Sequence, residues 1–193
     1  MPENRDNEDR RNEFVEAAEK LFQENGIVDT TINSIVKEMD VAKGLFYYYF
    51  KSKDDVIDAI SEKYNQIFNE MMNASMEQED YDSRLNQFVE NSVNSFRSLY
   101  NKLHTGQDVD LTQLSNRSVE EARNKTISKL QELLDEGVRA QKLIIANTKY
   151  CASILISGII TLIEQNDAKD DEIKEVILNL IGKYGKDGND YGK

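Results

Sequence analysis

Apolar side chains recur every three or four positions along nearly the whole chain, the spacing of helices that bury one face. Phe14, Ala17, Ala18, Leu21 and Phe22 form a first stripe, with Gly26 placed where a left-handed C-cap belongs. Ile32, Ile35, Val36 and Met39 form a second, with Thr30 or Thr31 available as its N-cap. A turn at Asp40 and Val41 separates it from a short third helix predicted from Ala42 to Tyr49. Ser52-Lys53-Asp54-Asp55 has the form of a capping box, opening a long helix whose inner face carries Val56, Ile57, Ile60, Tyr64, Ile67, Phe68 and Met71.

The period continues through Leu85, Phe88, Val89, Phe96, Leu99, Tyr100 and Leu103, and a stop is expected near His104-Thr105-Gly106. Ser118-Val119-Glu120-Glu121 reads as another capping box, leading into Ile127, Leu130, Leu133 and Leu134. Tyr150 to Ile163 is apolar nearly all round, and Ile173, Val176, Ile177, Leu180, Ile181 and Tyr184 form a last stripe. Strand alternation is missing throughout, so the expected fold is all-α. Division is expected near Ser52, giving a three-helix bundle over 1–52, a larger helical domain over 53–185, and a Gly-, Asp- and Lys-rich tail over 186–193 that frays.

Charge and rare residues narrow the chemistry. The chain has 193 residues and a formal net charge of −12, which at first reading argues against a phosphate-backbone partner. One cysteine, Cys151, and one histidine, His104, leave no disulfide framework, no multi-cysteine zinc site and no His-paired metal motif, and no cofactor is implied. No spacing-defined catalytic set is present, which disfavours an enzyme. The charged N-terminus lacks the apolar stretch of a secretory signal, and a cytoplasmic protein is expected. Tyr150 to Ile163 spans only 14 residues, short of the ~20 that cross a bilayer. No membrane partner is expected.

Two short helices joined by a tight turn behind a third match the layout of a helix-turn-helix DNA reader. Phe14, Leu21, Phe22, Ile35, Met39, Leu45 and Tyr49 could supply its core. Residues 1–53 hold eight basic and eleven acidic side chains, yet Val41–Lys53 carries Lys43, Lys51 and Lys53 with no acid at all. Most of the negative charge lies beyond this segment. Tyr47-Tyr48-Tyr49-Phe50 could be core packing, but four consecutive aromatics cannot all face one core on a helix of period 3.6.

The run Val41-Ala42-Lys43-Gly44-Leu45-Phe46-Tyr47-Tyr48-Tyr49-Phe50-Lys51-Ser52-Lys53 resembles the signature of TetR-type transcriptional regulators, and Ala17-Ala18, Leu21-Phe22, Gly26 and Thr31-Ile32 fit upstream. It departs from the family pattern at Asp40, which replaces a turn glycine, at Ala42, which lacks a hydroxyl, and at Leu45, a site often held by Thr. The resemblance implies contact with double-stranded operator DNA through Thr31, Lys43, Gly44, Leu45, Tyr47, Tyr48 and Lys53. On that basis Gly44 allows close approach, Lys43 reaches a base edge or phosphate, the two tyrosines bond phosphates, and Thr31 and Lys53 meet phosphates from helix starts.

The same resemblance implies a homodimeric repressor whose larger domain binds an unidentified small-molecule effector. Aromatic and Met candidates for its pocket are Tyr64, Phe68, Met71, Phe88, Phe96, Tyr100 and His104, although helical spacing favours an ordinary core role for any single one of them. His104 is either a pH-sensitive anchor or a partner for helix-ending carbonyls. Family-like pairing of the last two helices across a twofold axis would use Ile154, Gly158, Thr161, Ile173, Ile177 and Leu180. Cys151 reads as a small buried residue, with a thiol sensor as the alternative. The rival reading of the whole chain is an all-helical interaction module or enzyme whose N-terminal bundle does not bind DNA.

Overall fold

The computed structural model describes residues 3–104 and 110–186, with side chains described for 7–104 and 110–182. The tail expected over 186–193 therefore lies, apart from the backbone of Lys186, outside the described residues. Among these residues there are eight helices and no strand: α1 (Glu3–Asp29), α2 (Ile32–Glu38), α3 (Lys43–Tyr49), α4 (Lys53–Ser75), α5 (Tyr81–Leu103), α6 (Thr112–Arg139), α7 (Thr148–Gln165) and α8 (Asp170–Lys186). The fold is all-α. By contacts the chain forms two compact units, Met1–Gln66 with Asn101–Ser118, and Ile67–Tyr100 with Val119–Lys193.

The first unit is built on aromatic packing. Phe14 of α1 meets Phe46 of α3 edge-on at 5.8 Å between ring centroids and Phe50 at 6.3 Å, and Phe46 lies 5.6 Å from Phe50. Such pairs contribute about 0.5–1.5 kcal/mol each beyond their buried area. Phe46 is fully buried, so it replaces Leu45 and Met39, both half-buried, in the expected core. Gly26 takes φ 84, ψ 162, extended backbone of the wrong hand for any residue but glycine. It kinks the end of α1 instead of closing it as a left-handed cap. Thr31 caps α2 in a reciprocal box with Ser34, and Asp40 makes the following turn at φ 52, as its short polar side chain permits.

At the start of α4 the capping box forms as read, with the amide of Asp55 donating to Ser52 Oγ at 3.2 Å and Ser52 Oγ donating to Asp55 Oδ1 at 2.9 Å. The amide of Lys51 donates to the same carboxylate at 2.8 Å, and this bond leads in holding the Asp55 carboxyl below the usual range.

In the second unit the buried stripes keep helical spacing but include small hydroxyls that apolar periodicity overlooks. On α4 the stripe runs through Phe68 to Met72 and Ser75, while Ile67 is exposed and Met71 half-buried. Ser92 and Thr126 are buried because each hydroxyl donates to the carbonyl four residues back, Phe88 and Ala122, at 2.7 Å. Thr126 takes the buried position expected of Ile127, which is half-buried.

The expected capping box at Ser118 is not a helix start. Helix α6 begins at Thr112, whose amide donates to Asp110 Oδ1 at 2.9 Å. Leu111, Leu114 and Ser118 are all buried, so tertiary packing extends the helix back through the motif.

Helix α7 is capped by Asn147, whose side chain accepts from the amide of Tyr150, and it closes at Asn166 in a left-handed conformation. It is not buried all round. Ala152, Leu155, Ile156, Ile159 and Ile163 face the core, whereas Tyr150 and Ile154 are 65% and 71% exposed. No helix of the described residues is long and apolar enough to cross a membrane.

Candidate nucleic-acid interface

Helix α3 holds only seven residues, so at 100° per residue its side chains divide sharply between core and outside. Phe46 points into the bundle, while Lys43, Gly44, Tyr47 and Tyr48 are exposed over an arc of about 140°. Tyr47 and Tyr48 stand 50% and 69% exposed, which resolves the run of aromatics: Phe46 and Phe50 pack inward, Tyr49 is half-buried, and two phenols face out. Lys43 Nζ lies 5.9 Å from the Tyr47 ring centre. Tyr48 sits edge-on to Tyr49 at 4.9 Å, and its hydroxyl accepts a long 3.5 Å contact from Asn7 Nδ2 of α1. Leu45 is half-buried.

A Cβ built on Gly44 would meet nothing within 4 Å, and the residue is helical. Glycine costs a helix roughly 1 kcal/mol relative to alanine, and no neighbour inside the protein requires it. Its use fits a surface that another molecule approaches closely.

Thr31 is exposed, its hydroxyl accepting from the amide of Ser34 at 3.1 Å. Lys53 is placed differently. Its ammonium donates to the carbonyls of Ile27 at 2.5 Å and Thr30 at 3.0 Å, so it is engaged at the end of α1. Nothing in the spacing of the sequence signals that pairing, which spans 26 residues.

The effector candidates fall in both units. Tyr64 and His104 belong to the first unit and the other five to the second. Tyr64 is buried, and its hydroxyl donates to Glu19 Oε1 at 2.6 Å, while Lys63 bonds the other carboxylate oxygen at 2.8 Å. Burial, then the Glu19 carboxylate, pushes the phenol pKa far above its ordinary value. Tyr64 thus fastens α4 to α1.

In the second unit Phe68 packs edge-on against Phe96 at 4.8 Å, Phe88 is fully buried, and Met71 Sδ accepts from Ser95 Oγ at 3.3 Å. Tyr100 is half-buried with its hydroxyl 3.5 Å from the Glu164 carbonyl, and His104 is exposed. A surface cleft of about 310 Å³ in the first unit is lined by Glu8, Arg11, Glu16, Glu62 and Lys63, among others, and by none of these candidates.

Of the residues expected to pair subunits, Ile154, Thr161 and Leu180 are exposed, and Gly158 faces open space. Ile173 and Ile177 are 1% and 3% exposed and belong to the chain's own core. Val176, one position from Ile177, takes the outward place at 51%. Cys151 is half-buried, and burial pushes its thiol above the ordinary value, which disfavours the reactive thiolate.

An exposed short helix set behind a tight turn on an aromatic three-helix core defines a helix-turn-helix module. Residues 14–60 match the family model described as bacterial regulatory proteins, tetR family. The transcriptional regulator HbdR of Aromatoleum sp. (strain CIB) is 48% identical over 50 residues, 26% of this chain and 22% of that protein. The transcriptional regulator TtgR of Pseudomonas putida is 25% identical over 75 residues, 39% of this chain and 36% of that protein. These matches span well under half of either relative.

Over the whole fold, a transcriptional regulator of the TetR/AcrR family from Thermobifida fusca superposes with a TM-score of 0.69 at 22% identity, covering 96% of this chain and 100% of the other. PfmR, a TetR family transcriptional regulator from Thermus thermophilus, gives 0.60 at 18% identity over 89% of this chain and 96% of the other. Residues 14–60 of this chain thus carry a TetR-type helix-turn-helix domain, and the whole chain shares the all-helical fold of these solved structures.

Proposed function

We propose that the protein is a cytoplasmic, homodimeric repressor that reads operator DNA with α3 and is released by a small-molecule effector. The observation that carries the DNA reading is the outer face of α3, where Lys43, Tyr47 and Tyr48 surround a glycine that the protein's own packing does not require. Lys43 supplies a donor for a guanine edge or phosphate, and each phenol donates to phosphate while its ring covers sugar. Leu45, half-buried, offers a methyl contact. Thr31 brings a hydroxyl beside the backbone.

Dimerisation uses Tyr150 and Ile154 of α7 with Val176 and Leu180 of α8, large apolar side chains left exposed on neighbouring helices. Gly158 and Thr161 complete the α7 face. Release follows if the effector binds the state that does not fit DNA more tightly than the state that does.

The test is a Gly44→Ala variant examined beside Lys43→Ala and Tyr47→Ala. With its helix strengthened, Gly44→Ala should unfold at the same or higher urea concentration while binding its operator at least tenfold more weakly; the other two should lose about tenfold each with unchanged unfolding. Operator affinity that survives all three substitutions would overturn the assignment of α3 as the reading helix.

A further inference from the structure

Among the described residues, three buried side-chain polar atoms have no hydrogen-bond partner: Asn7 Oδ1, the Tyr81 hydroxyl and Arg123 Nε. The last alone belongs to an ion. Asn7 still donates to Tyr48 through its other amide atom, and Tyr81 is a neutral phenol lying over Gly137. Arg84, Arg97 and Arg117 each reach a carboxylate, at Glu136, Asp170 and Asp58. Arg123, half-buried on α6, joins no ion pair among the described residues. A guanidinium partly withdrawn from water without a counter-charge is destabilising, and an anion beside it offsets that cost.

Arg123 stands where a core residue belongs. Thr126, Leu130 and Leu134 follow at three, seven and eleven residues on the same side of α6, each 1% exposed or less. Bonds between helices fix its level in the second unit. Helix α6 runs parallel to α4, with Ser118 bonded to Ser61 and Lys129 to Asn73. It runs antiparallel to α5, with Glu136 bonded to Arg84 and Gly137 under Tyr81. Arg123 lies six residues before Lys129, and Phe68 lies five before Asn73. It also lies thirteen before Glu136, and Phe96 lies twelve after Arg84. At about 1.5 Å per residue, both counts put Arg123 level with the Phe68–Phe96 pair, to within about one helical turn. Ser95 is at that level too, 4% exposed, with its hydroxyl on the Met71 thioether at 3.3 Å, a weak acceptor.

We propose that Arg123 anchors an anionic effector: an organic acid whose oxygens accept from the guanidinium while its apolar or aromatic body lies against Phe68 and Phe96. All three residues belong to the second unit. The planar guanidinium suits two-point bonding to a carboxylate, sulfonate or phosphate. This proposal rests on the reading of the protein as an effector-released regulator, and it gives that effector a chemical class.

Anilinonaphthalene sulfonate carries an anion on aromatic rings and reports its own binding by fluorescence, and N-phenylnaphthylamine has the same rings without the charge. The full-length wild-type chain should bind the sulfonate, and Arg123→Gln should weaken that binding about tenfold or more through loss of a charge-assisted pair. The uncharged amine should bind both proteins alike, and Arg123→Lys should keep more of the sulfonate affinity than Arg123→Gln. With no probe present, Arg123→Met should unfold at the same or a higher urea concentration, because the native charge has no partner to lose. An arginine with a structural role would move that midpoint down. No sulfonate binding by the wild type, equal affinity in Arg123→Gln, or a lower midpoint in Arg123→Met would overturn the proposal.

Release from DNA is measured separately, on the duplex that the wild-type chain selects from a random-sequence library. Saturating sulfonate should free the wild-type chain at a lower concentration than it frees Arg123→Gln. Release at one concentration in both overturns the anchor and leaves the effector reading intact. Sulfonate held through Arg123 with the duplex still bound supports the anion site and overturns the effector reading.

Discussion

Gly137 shows how a single residue can be required by one neighbour. A Cβ added there would lie 2.2 Å from the hydroxyl oxygen of Tyr81 and 2.7 Å from Leu143, so the phenol ring occupies the space that glycine leaves. The Tyr81 hydroxyl is buried without a hydrogen-bond partner, and burial pushes its pKa up to about 12. Gly137→Ala should therefore destabilise the protein by about 1–3 kcal/mol despite its better helix propensity. Tyr81→Phe removes only an unsatisfied hydroxyl and should be neutral or slightly stabilising. Urea unfolding of the two single variants and the double variant checks both, and Tyr81→Phe should reduce the cost of Gly137→Ala. Gly44 is the opposite case, a glycine with no internal neighbour to explain it. Both were visible as letters in the chain, and only their surroundings tell them apart.

Among the elements, the turn between α7 and α8 depends on a side chain from α5. Arg97 donates to Asp170 Oδ1 at 2.8 Å, Asn166 Oδ1 at 2.9 Å, and the carbonyls of Ala168 and Ile163 at 3.0 and 3.2 Å. With its side chain 14% exposed, it is screened far less than a surface ion pair. Arg97→Met should cost about 3–5 kcal/mol, since Asp170 and the turn carbonyls lose their donor together, and Asp170→Asn should cost less. Hydrogen exchange should then quicken at the amides of α7's last turn and α8's first. Apolar periodicity located both helices, but an arginine 66 to 73 residues away in sequence carries no local signal of this role. The start of α6 at Thr112, ahead of the Ser118 motif, has a related reason. Ser118 looks like an N-cap by its neighbours, yet its hydroxyl donates to Ser61 Oγ at 3.1 Å inside the first unit.

For the molecule as a whole, the proposed dimer separates residues that face a second copy from those that hold the chain together. Ile154→Asp or Leu180→Asp should give folded monomers by sedimentation, with operator affinity lost because two half-sites are no longer engaged at once. Ile173→Ala should instead lower stability by about 2–5 kcal/mol, the usual range for emptying a core site. If Ile154→Asp remained a dimer, the α7–α8 face would not be the interface. Charge also has meaning only when divided. The net −12 of the chain does not describe α3, whose outward residues are a lysine, a glycine and two phenols. The acidic remainder should weaken binding to arbitrary DNA and leave affinity to well-fitted contacts.

Helix number and class, the helix-turn-helix segment and its acid-free stretch from Val41 to Lys53 were legible from local information: apolar period, capping residues and a motif confined to a few consecutive turns. These properties depend on neighbours within about one helical turn, so a linear reading can find them. Tertiary structure decided matters set by distant partners. It turned Phe46 inward in place of Leu45, placed Ile177 in the core and Val176 outside it, and moved the start of α6 back to Thr112. It also gave the ammonium of Lys53 to the end of α1. The physical reason is the same in each case: a side chain's period fixes its direction on a helix, but which directions are buried, bonded or open depends on helices that arrive from elsewhere in the chain.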